Sequence, residues 1–442
     1  MMRFFLAAGL TTSVWVLVYA LSANIPQEGS VTRVTGETAT AAVAVGEETS
    51  AAPSLPIDTR ERIKHVALPS PLKAIYMTSC VVGTKDFRAD VVSVIDDTEV
   101  NALVIDIKDF SGTLSFNPGT DSFWYPAWEN ARCGARDMKE FIAQLHAKGV
   151  FVIGRITVFQ DPFYAAAHPE DAVKRADKVT TWKDSKGLAF VDVGAKRYWD
   201  HIIDLSVTAY NLGFDELNFD YVRYPSDGNM SDISHPQAEA TQYGTSQEEN
   251  LEAFFKYLST ALRDESRYAA AIHEGERQVP VITADLFGMT TTAQDGMNIG
   301  QVLERALPYF DAIAPMVYPS HYPKNFIGIP NPNTQPYAIV HHAMSEGMKR
   351  AVATTTSINA FTHERIGTST PAIYAKQSYP PAVLRTWIQD FNYGGTYGPK
   401  EIRAQFQASY DAGVQDWMIW SPSNRYTRGA LLPNVVTQGL GE

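Results

Sequence analysis

The segment DELNFDYVRYP, residues 215–225, decides the fold because it reads as one short strand between two helices. An amphipathic stretch, RYWDHIIDLSVTAYNLG at 197–213, precedes it and stops at a glycine, which is a common helix end. A second amphipathic stretch follows near residues 248–264. A β-branched or aromatic run between two such stretches is typical of a β/α unit in a parallel sheet.

The same alternation continues in both directions along the chain. Seven further strand-like runs occur: AIYMTSC (74–80), ALVIDIKDF (102–110), VFVIGRITVF (150–159), PVITADLFG (280–288), DAIAPMVYPS (311–320), RTWIQDF (385–391) and DWMIWSP (416–422). Helices are expected near residues 86–97, 137–149, 197–213, 248–264, 299–310, 337–350 and 399–413. Eight strand–helix units predict an α/β fold, a single (β/α)8 TIM barrel over residues 71–442. The alternative, an open doubly wound sheet, normally has a glycine-rich fingerprint after its first strand, and TSCVVGTKD at 78–86 lacks one.

An uncharged segment near the N-terminus predicts export. Residues 4–23, FFLAAGLTTSVWVLVYALSA, follow Arg3 and are long enough to span a bilayer. Residues 1–23 are therefore expected to be either a cleaved signal peptide or a membrane anchor. Residues 24–70 are rich in Ala, Thr, Ser, Gly, Glu and Pro, which predicts a disordered linker. The expected location is periplasmic, at the cell surface, or anchored to the membrane outside the cytoplasm.

Composition limits the possible partners and cofactors. The 442 residues include 37 Lys and Arg against 49 Asp and Glu, and the formal net charge is −12. Because no dense basic run occurs, no nucleic-acid partner is expected. The two cysteines, Cys80 and Cys133, are not in zinc spacing, and no metal or cofactor is expected. Both should lie near the mouth of the barrel, where they either form a disulfide or remain two unrelated thiols.

Polar residues occupy the inward phase of several predicted strands. Alternate residues of a barrel strand face the interior, so the phase opposite the apolar one should point inward. This selects Asp106, Lys108, Arg155, Thr157, Asn218, Asp220, Thr283, Asp285, Met316, Tyr318, Trp387 and Gln389. Asp390 falls in the other phase, at the end of its strand. The carboxylates lie near the carboxyl ends of their strands, where barrel enzymes carry their active sites.

Two of these carboxylates, Asp220 and Asp285, are on neighbouring strands and suit glycoside hydrolysis. In that reaction one carboxylate acts as nucleophile or base and the other as proton donor. Arg223 follows Asp220 closely and is expected to keep it ionised. Since short side chains on adjacent strands should lie close together, a retaining mechanism is favoured. Tyr318 and Trp420, at strand ends, are the aromatic residues best placed to contact sugar.

The remaining polar residues fit into this interpretation as further carboxylates or substrate contacts. Asp106 and Asp390 are further catalytic candidates, and Asp106, Asp109 or Asp390 would supply the proton if Asp285 did not. Residues expected to bind a carbohydrate substrate are Lys108, Arg155, Asn218, Arg223, Tyr318, Gln389 and Trp420. Two alternatives stay open. The charged residues could form an ion-pair network that only stabilises the barrel, or the barrel could bind carbohydrate in the cell envelope without cleaving it.

Several blocks of the sequence carry a family resemblance. They are KAIYMTS, NALVIDIKDFSGTLSF, GRITVFQDP, GFDELNFDYVRYPSDG, APMVYPSHY, WIQDF and DWMIWSPSNRYT, and together they extend from about residue 71 to about 430. The chain resembles a glycoside hydrolase barrel family of exported bacterial proteins, related to the α-amylase-like hydrolases. The resemblance implies Asp220 as nucleophile, Asp285 as acid/base, where relatives more often have glutamate, and Asp390 as stabiliser of the transition state.

Overall fold

The computed structural model describes residues 58–240 and 243–434. The predicted signal or anchor segment, residues 4–23, lies outside this range. Within the described part of the chain, no helix combines the length and apolar character needed to cross a bilayer. The prediction that a disordered linker reaches residue 70 is wrong, because Glu61–Lys64 form a strand that pairs in parallel with Ala271–Glu274. The side chain of Ile63 is buried there, which gives this strand an apolar contact.

Eight parallel strands form the main sheet, as the sequence predicts. They are β1 Lys73–Met77, β2 Ala102–Lys108, β3 Phe151–Thr157, β4 Glu216–Asp220, β5 Val281–Phe287, β6 Ala312–Met316, β7 Thr386–Gln389 and β8 Trp417–Trp420. Their order is β7-β8-β1-β2-β3-β4-β5-β6. A parallel bridge from Ile313 in β6 to Leu384, two residues before β7, brings the two edges together. The predicted (β/α)8 barrel is therefore confirmed.

Helices connect the strands on the outside. They are α1 Lys85–Asp97, α2 Met138–Ala147, α3 Lys196–Leu212, α4 Gln247–Leu262, α5 Leu303–Ala306, α6 Pro336–Val352 and α7 Pro399–Asp411. Short helices occupy Ser79–Val82, Tyr125–Glu129, Pro162–Ala167 and Pro236–Ala240. The helix α5 is shorter than the predicted 299–310, because Gly300 adopts a positive φ before it and Pro308 follows. The irregular stretch 351–384 contains a small antiparallel sheet of Thr355–Thr356, Glu364–Ile366 and Ile373–Ala375.

The alternation of side chains along the strands divides the core into two layers. One phase packs against the helices and includes Ile75, Leu103, Val152, Leu217, Ile282 and Ile313. The other phase fills the barrel and includes Ala74, Val104, Ile153, Val281, Trp387 and Met418. Burying each large apolar side chain contributes about 1.5–3 kcal/mol, so both layers hold the strands in register. The register in turn fixes which polar side chains reach the carboxyl ends of the strands.

A buried ion pair lies in the lower part of the barrel interior. Glu216, at the start of β4, accepts hydrogen bonds from Nη1 of Arg385 at 2.7 and 2.6 Å. The hydroxyl of Thr283 in β5 donates to the same carboxylate over 2.7 Å. Both charged side chains are almost fully buried. A buried pair of this kind ties distant strands together, because removing either partner leaves an uncompensated charge.

A disulfide joins the two cysteines near the carboxyl end of the barrel. Cys80 lies in the short helix after β1, Cys133 lies in the loop after β2, and their Cα atoms are 4.5 Å apart. Of the two sequence alternatives, the bridge is the one the structure contains. It closes a loop with a sequence separation of 53 residues and fastens the long β2 loop beside the mouth of the barrel.

Candidate active site

The carboxyl ends of the strands enclose a cavity of about 890 Å³. This is within the range of small-molecule sites, roughly 300–1,000 Å³. Its polar floor comes from strand residues, and its walls come from the loops after β1, β2, β4, β5 and β6. The aromatic residues along it are Tyr76, Phe110, Tyr221, Phe287, Tyr318, Tyr322, Trp387 and Trp420. The cavity therefore combines apolar ring surfaces with a central group of charges.

Arg155, the inward arginine of β3, lies at the centre of that group. Its Nη1 donates to Asp106 over 2.6 Å, and its Nη2 forms an ion pair with Asp220. Its Nε is 3.8 Å from Oδ2 of Asp285. Three carboxyl groups from β2, β4 and β5 thus surround one guanidinium. Since one positive charge cannot balance three buried negative charges, the arrangement favours a proton on part of the group.

Asp220 is held by two direct donors, the guanidinium of Arg155 and a backbone N–H group. It ends β4, and its Oδ2 pairs with Arg155. Its Oδ1 accepts the backbone N–H of Tyr221 over 2.5 Å. Tyr221 has φ +52°, in the left-handed region that non-glycine residues rarely adopt. Backbone conformations of this kind collect at functional sites, and here the turn brings an N–H donor onto the carboxylate.

Asp285 has the opposite environment. It is fully buried, and its Oδ1 accepts from Nε1 of Trp387 at 2.7 Å and from Nδ2 of Asn218 at 2.9 Å. Its Oδ2 has no hydrogen-bond partner among the described residues. Burial, reinforced by the negative charge of Asp220, raises the pKa of Asp285 far above its usual range. Asp285 is therefore suited to carry a proton near neutral pH.

Asp106 is the third carboxyl group around Arg155. The hydroxyl of Tyr76 donates to its Oδ2, and Arg155 donates to its Oδ1. Burial raises the pKa of Asp106 to about 6, although Arg155 and the Tyr76 hydrogen bond oppose this. The ring of Tyr76 stacks on Trp420 with centroids 4.1 Å apart. Trp420 also lies 5.3 Å from the guanidinium carbon of Arg155, so it forms an apolar wall beside the charges.

The structure brings together most, but not all, of the residues selected from the sequence. Those that line the cavity are Asp106, Asp109, Arg155, Asp220, Arg223, Asp285, Met316, Tyr318, Trp387 and Trp420. Asn218 acts behind the cavity as a donor to Asp285. The side chain of Gln389 does not reach it, since its Oε1 accepts the N–H of Ser320 and its Nε2 donates to Phe391. Arg223 has no direct contact with Asp220, whose cation is Arg155.

The expected inward orientation of Lys108 is wrong. Pairing between β2 and β3 shifts after Asp106, so that Lys108 lies opposite Ile156 and Ile107 is an extra residue. This bulge reverses the alternation at the last residue of the strand. The ammonium is fully buried, donates to the carbonyl of Thr157 over 2.6 Å and lies 2.9 Å from Asp161. Lys108 therefore stabilises the outer layer and does not line the cavity.

Asp390 also lies away from the cavity. Its carboxylate accepts from the backbone N–H and the hydroxyl of Thr427, at 2.8 and 2.7 Å. These bonds anchor the loop after β8 to the end of β7. The family resemblance implies that Asp390 lies beside Asp220 and Asp285, but the structure does not place it there. Its strand phase already pointed away from the interior.

Several cavity residues were not assigned a role from the sequence. Trp387 was selected as an inward residue of β7 but was given no role. Tyr76 occupies an inward position of β1, where strand alternation could also have found it. Tyr221 could not be found in this way, because its role depends on its backbone conformation. Loop residues such as Arg132 and Tyr322 also line the cavity, and their positions depend on how the loops pack.

Comparison with known proteins agrees with the geometry. Residues 74–426 match the family described as "Putative glycosyl hydrolase domain". The chain belongs to this family. No curated protein matches it significantly in sequence. The family assignment supports a glycoside hydrolase-like function.

One solved glycoside hydrolase domain shows the same fold. The PgaB (BpsB) glycoside hydrolase domain from Bordetella bronchiseptica has a TM-score of 0.51 and 13% identity, covering 82% of this chain and 99% of that domain. A hypothetical protein from Ruminiclostridium thermocellum is 27% identical, covers 45% of this chain and 95% of that chain, and has a TM-score of 0.36. The catalytic domain of β-amylase from Paenibacillus polymyxa has a TM-score of 0.46 and 10% identity, covering 84% of this chain and 97% of that domain.

Proposed function

We propose that this protein is an exported glycoside hydrolase that cleaves a poly- or oligosaccharide with Asp220 and Asp285. The observation that carries the proposal is the contrast between the two carboxyl groups. Asp220 is paired with Arg155, whereas Asp285 is buried, partly unpartnered and has a strongly raised pKa. Two carboxyl groups whose environments separate their protonation are what glycoside hydrolysis requires.

Each group then has one role in the reaction. Asp220 attacks the anomeric carbon as an ionised nucleophile, and a glycosyl–enzyme ester forms as the glycosidic C–O bond breaks. Asp285 gives its proton to the departing oxygen, so that the leaving sugar departs as a neutral alcohol. In the second step Asp285 takes a proton from water, which attacks the anomeric carbon and releases Asp220.

Arg155 links the two roles. Its Nη2 forms an ion pair with Asp220, and its Nε lies 3.8 Å from Oδ2 of Asp285. As Asp220 loses its charge on forming the ester, Asp285 gains one on losing its proton. The guanidinium can offset either negative charge without moving far, which limits the electrostatic cost of the exchange.

The aromatic wall supports a carbohydrate substrate. Trp420 is partly exposed and, with Tyr318, lines the cavity beside the carboxyl groups. Flat apolar rings next to polar groups suit the mixed surface of a sugar. Export is supported by the uncharged residues 4–23 and by the Cys80–Cys133 disulfide, since disulfides persist in oxidising compartments.

A glycan screen with carboxamide variants tests the proposal. The full chain is incubated with a broad panel of poly- and oligosaccharides, and the responsive glycan is assayed with D220N and D285N. Each should lower kcat by about a thousandfold or more. The exposed Asp204 on α3 provides the matched control D204N, which should retain wild-type kcat.

The outcomes separate catalysis from binding alone. Undiminished hydrolysis by D220N would show that the nucleophile assignment is wrong. Saturable binding of a glycan without hydrolysis by the wild-type chain would instead favour a carbohydrate-binding barrel, in which the ion pairs around Arg155 are structural.

A further inference from the structure

Arg223 is a buried arginine at the wall of the cavity. It follows Asp220 by three residues, lines the cavity, and is only 8% exposed. Its guanidinium carbon is 4.7 Å from the ring centroid of Tyr221 and 4.9 Å from that of Phe287. Two aromatic rings thus hold a planar cation in place, which fixes its orientation before any ligand arrives.

The other buried arginines in the described part of the chain all pair with carboxylates. Arg155 pairs with Asp106 and Asp220, Arg305 with Glu252, and Arg385 with Glu216. Arg223 makes one hydrogen bond, from Nη1 to the carbonyl of Tyr224 at 3.0 Å, and forms no ion pair within the described residues. Most of its donor capacity is therefore left over, although a buried charge normally needs a partner.

Nearby acidic groups explain how this charge is tolerated without a direct partner. Burial lowers the pKa of Arg223, but the more distant charges of Asp220, Asp227 and Asp184 oppose that effect. None of these three carboxylates forms a salt bridge with Arg223. They keep the guanidinium charged while leaving its remaining N–H groups unused.

We infer that Arg223 binds a carboxylate carried by the substrate, and hence that the substrate is an acidic glycan containing uronic acid. This inference rests on the proposed glycosidase function and names its substrate class. A guanidinium presents two parallel N–H groups that match a carboxylate, and such charge-assisted bonds are the strongest available to it. Because Arg223 and Asp220 belong to one short segment, the acidic sugar lies at or next to the bond that is cleaved.

A second arginine on the same cavity supports this class of ligand. Arg132 lines the cavity from the β2 loop, beside Cys133, and its side chain is exposed with no ion pair among the described residues. Its position is fixed on one side by the disulfide. An acidic oligosaccharide entering the cavity therefore meets one exposed cation and one preoriented buried cation.

Matched pairs of glycans test the inference. Oligomers of galacturonate, of mannuronate and guluronate, and of hyaluronan are each compared with their carboxyl-reduced, neutral counterparts. Binding to the full chain is measured by calorimetry at a fixed salt concentration. At least one acidic oligomer should bind about tenfold or more tightly than its reduced form, which is the effect expected of hydrogen bonds to a charged group.

Three variants identify the source of the preference. R223Q should abolish the difference in affinity between acidic and reduced oligomers. R223K should retain part of that difference, because lysine keeps the positive charge but cannot donate the two parallel N–H groups of a guanidinium. R263Q removes the same charge at the end of α4, where Arg263 pairs with Asp311, and should keep the full preference. Circular dichroism checks folding, and R223K serves as the test if R223Q does not fold.

The inference fails if no acidic oligomer binds, if each reduced counterpart binds equally well, or if the preference persists unchanged in R223Q. Failure of the glycosidase proposal is recognised separately. It would appear as an absence of hydrolysis by the wild-type chain, whereas the binding preference is also measured in D285N, which should retain it.

Discussion

The indole N–H of Trp387 donates to Oδ1 of Asp285 over 2.7 Å, and this contact makes the two oxygens of that carboxyl group inequivalent. Asn218 donates to the same Oδ1, and Oδ2 has no hydrogen-bond partner in the described residues. An oxygen that accepts two donors is a poor site for a proton. The proton of the neutral acid therefore belongs on Oδ2, so Trp387 and Asn218 act as positioning residues.

Replacing Trp387 with phenylalanine should alter the pH dependence of the reaction. The indole bond favours the ionised form of Asp285, so its loss should raise the pKa further. We expect the alkaline limb of the kcat/KM profile to move to higher pH by about one unit, since a bond to a charged group contributes roughly 1.5–3 kcal/mol. The profile is measured on the glycan that responds in the screen.

The matched control for this variant is W199F. Trp199 is buried in α3 and also donates an indole bond, to the carbonyl of Val193 at 2.8 Å, but it does not line the cavity. The W199F variant should lower the free energy of unfolding without shifting the pH profile of kcat/KM. An unshifted profile in W387F would show that the indole does not act on the proton donor.

Strand alternation correctly predicted which side chains of four strands point into the barrel. Asp106, Arg155, Asp220 and Asp285 occupy inward positions on four adjacent strands, and the structure places them in one group. Alternation failed at Lys108, because a bulge is set by pairing with the neighbouring strand and leaves no clear mark in the sequence.

Residues beyond the strands follow different rules. Asp390 is held by Thr427, 37 positions away, and Tyr221 takes a left-handed backbone conformation. Such long-range contacts and local conformations depend on loop packing, so a residue's own sequence neighbourhood does not specify them. The alternation rule therefore identifies the floor of the cavity but not its walls.

The carboxylate of Asp215 should make stability depend on pH. It accepts the backbone N–H groups of Val66 and Val152 and contacts His65 and His146. Burial raises its pKa, but these bonds outweigh burial, and the net pKa is lowered. A depressed folded-state pKa stabilises the fold above the unfolded value, near 4, and this stabilisation is lost as the pH falls through the folded value.

The variant D215N should therefore lose about 2–4 kcal/mol of unfolding free energy at pH 7. The difference from wild type should shrink at pH 3, below the unfolded value near 4, because the unfolded wild-type chain then takes up a proton at Asp215 and part of the stabilisation is lost. Urea unfolding at both pH values measures this. A difference of equal size at the two pH values would rule out ionisation of Asp215 as the cause.

Removing the disulfide should destabilise the protein mainly through the unfolded chain. For the 53-residue separation of Cys80 and Cys133, the loop-entropy relation gives about 4 kcal/mol. The double variant C80S/C133S should show that loss in urea unfolding under oxidising conditions. Under reducing conditions, wild type and the double variant should converge, and a persistent gap would show that the serine substitutions themselves disturb the fold.

The buried pair of Glu216 and Arg385 should behave differently when one or both partners are removed. E216Q leaves the guanidinium of Arg385 with only the more distant Asp416, whose Oδ2 is 3.8 Å from Nε, and should cost about 3–5 kcal/mol. The double variant E216Q/R385M should recover much of that loss, because neither charge of the Glu216–Arg385 pair remains and Asp416, 3.8 Å from Arg385 in the wild type, is partly solvated. Urea unfolding of the two single variants and the double variant gives the coupling energy, and additive losses would show that the pair is not coupled.

The stereochemical prediction follows from the placement of Asp220 and Asp285. Asp220 ends β4, and Asp285 lies two residues before the end of β5. The two strands pair in parallel with Asn218 opposite Thr283, and both carboxyl groups lie within 4 Å of Arg155. Retaining enzymes hold their carboxyl groups about 5–5.5 Å apart, and inverting enzymes leave about 6.5–9.5 Å for a water molecule. Adjacent strands, short side chains and a shared guanidinium favour the shorter separation.

We therefore expect the first product to have the anomeric configuration of the substrate. Proton NMR recorded early in hydrolysis, before mutarotation, distinguishes the two anomers. Azide provides an independent measurement, because it can replace either carboxylate. D220A with azide should give a glycosyl azide of inverted configuration, and D285A with azide one of retained configuration, since the nucleophile is then intact. An inverted first product would mean that Asp220 activates water and forms no ester.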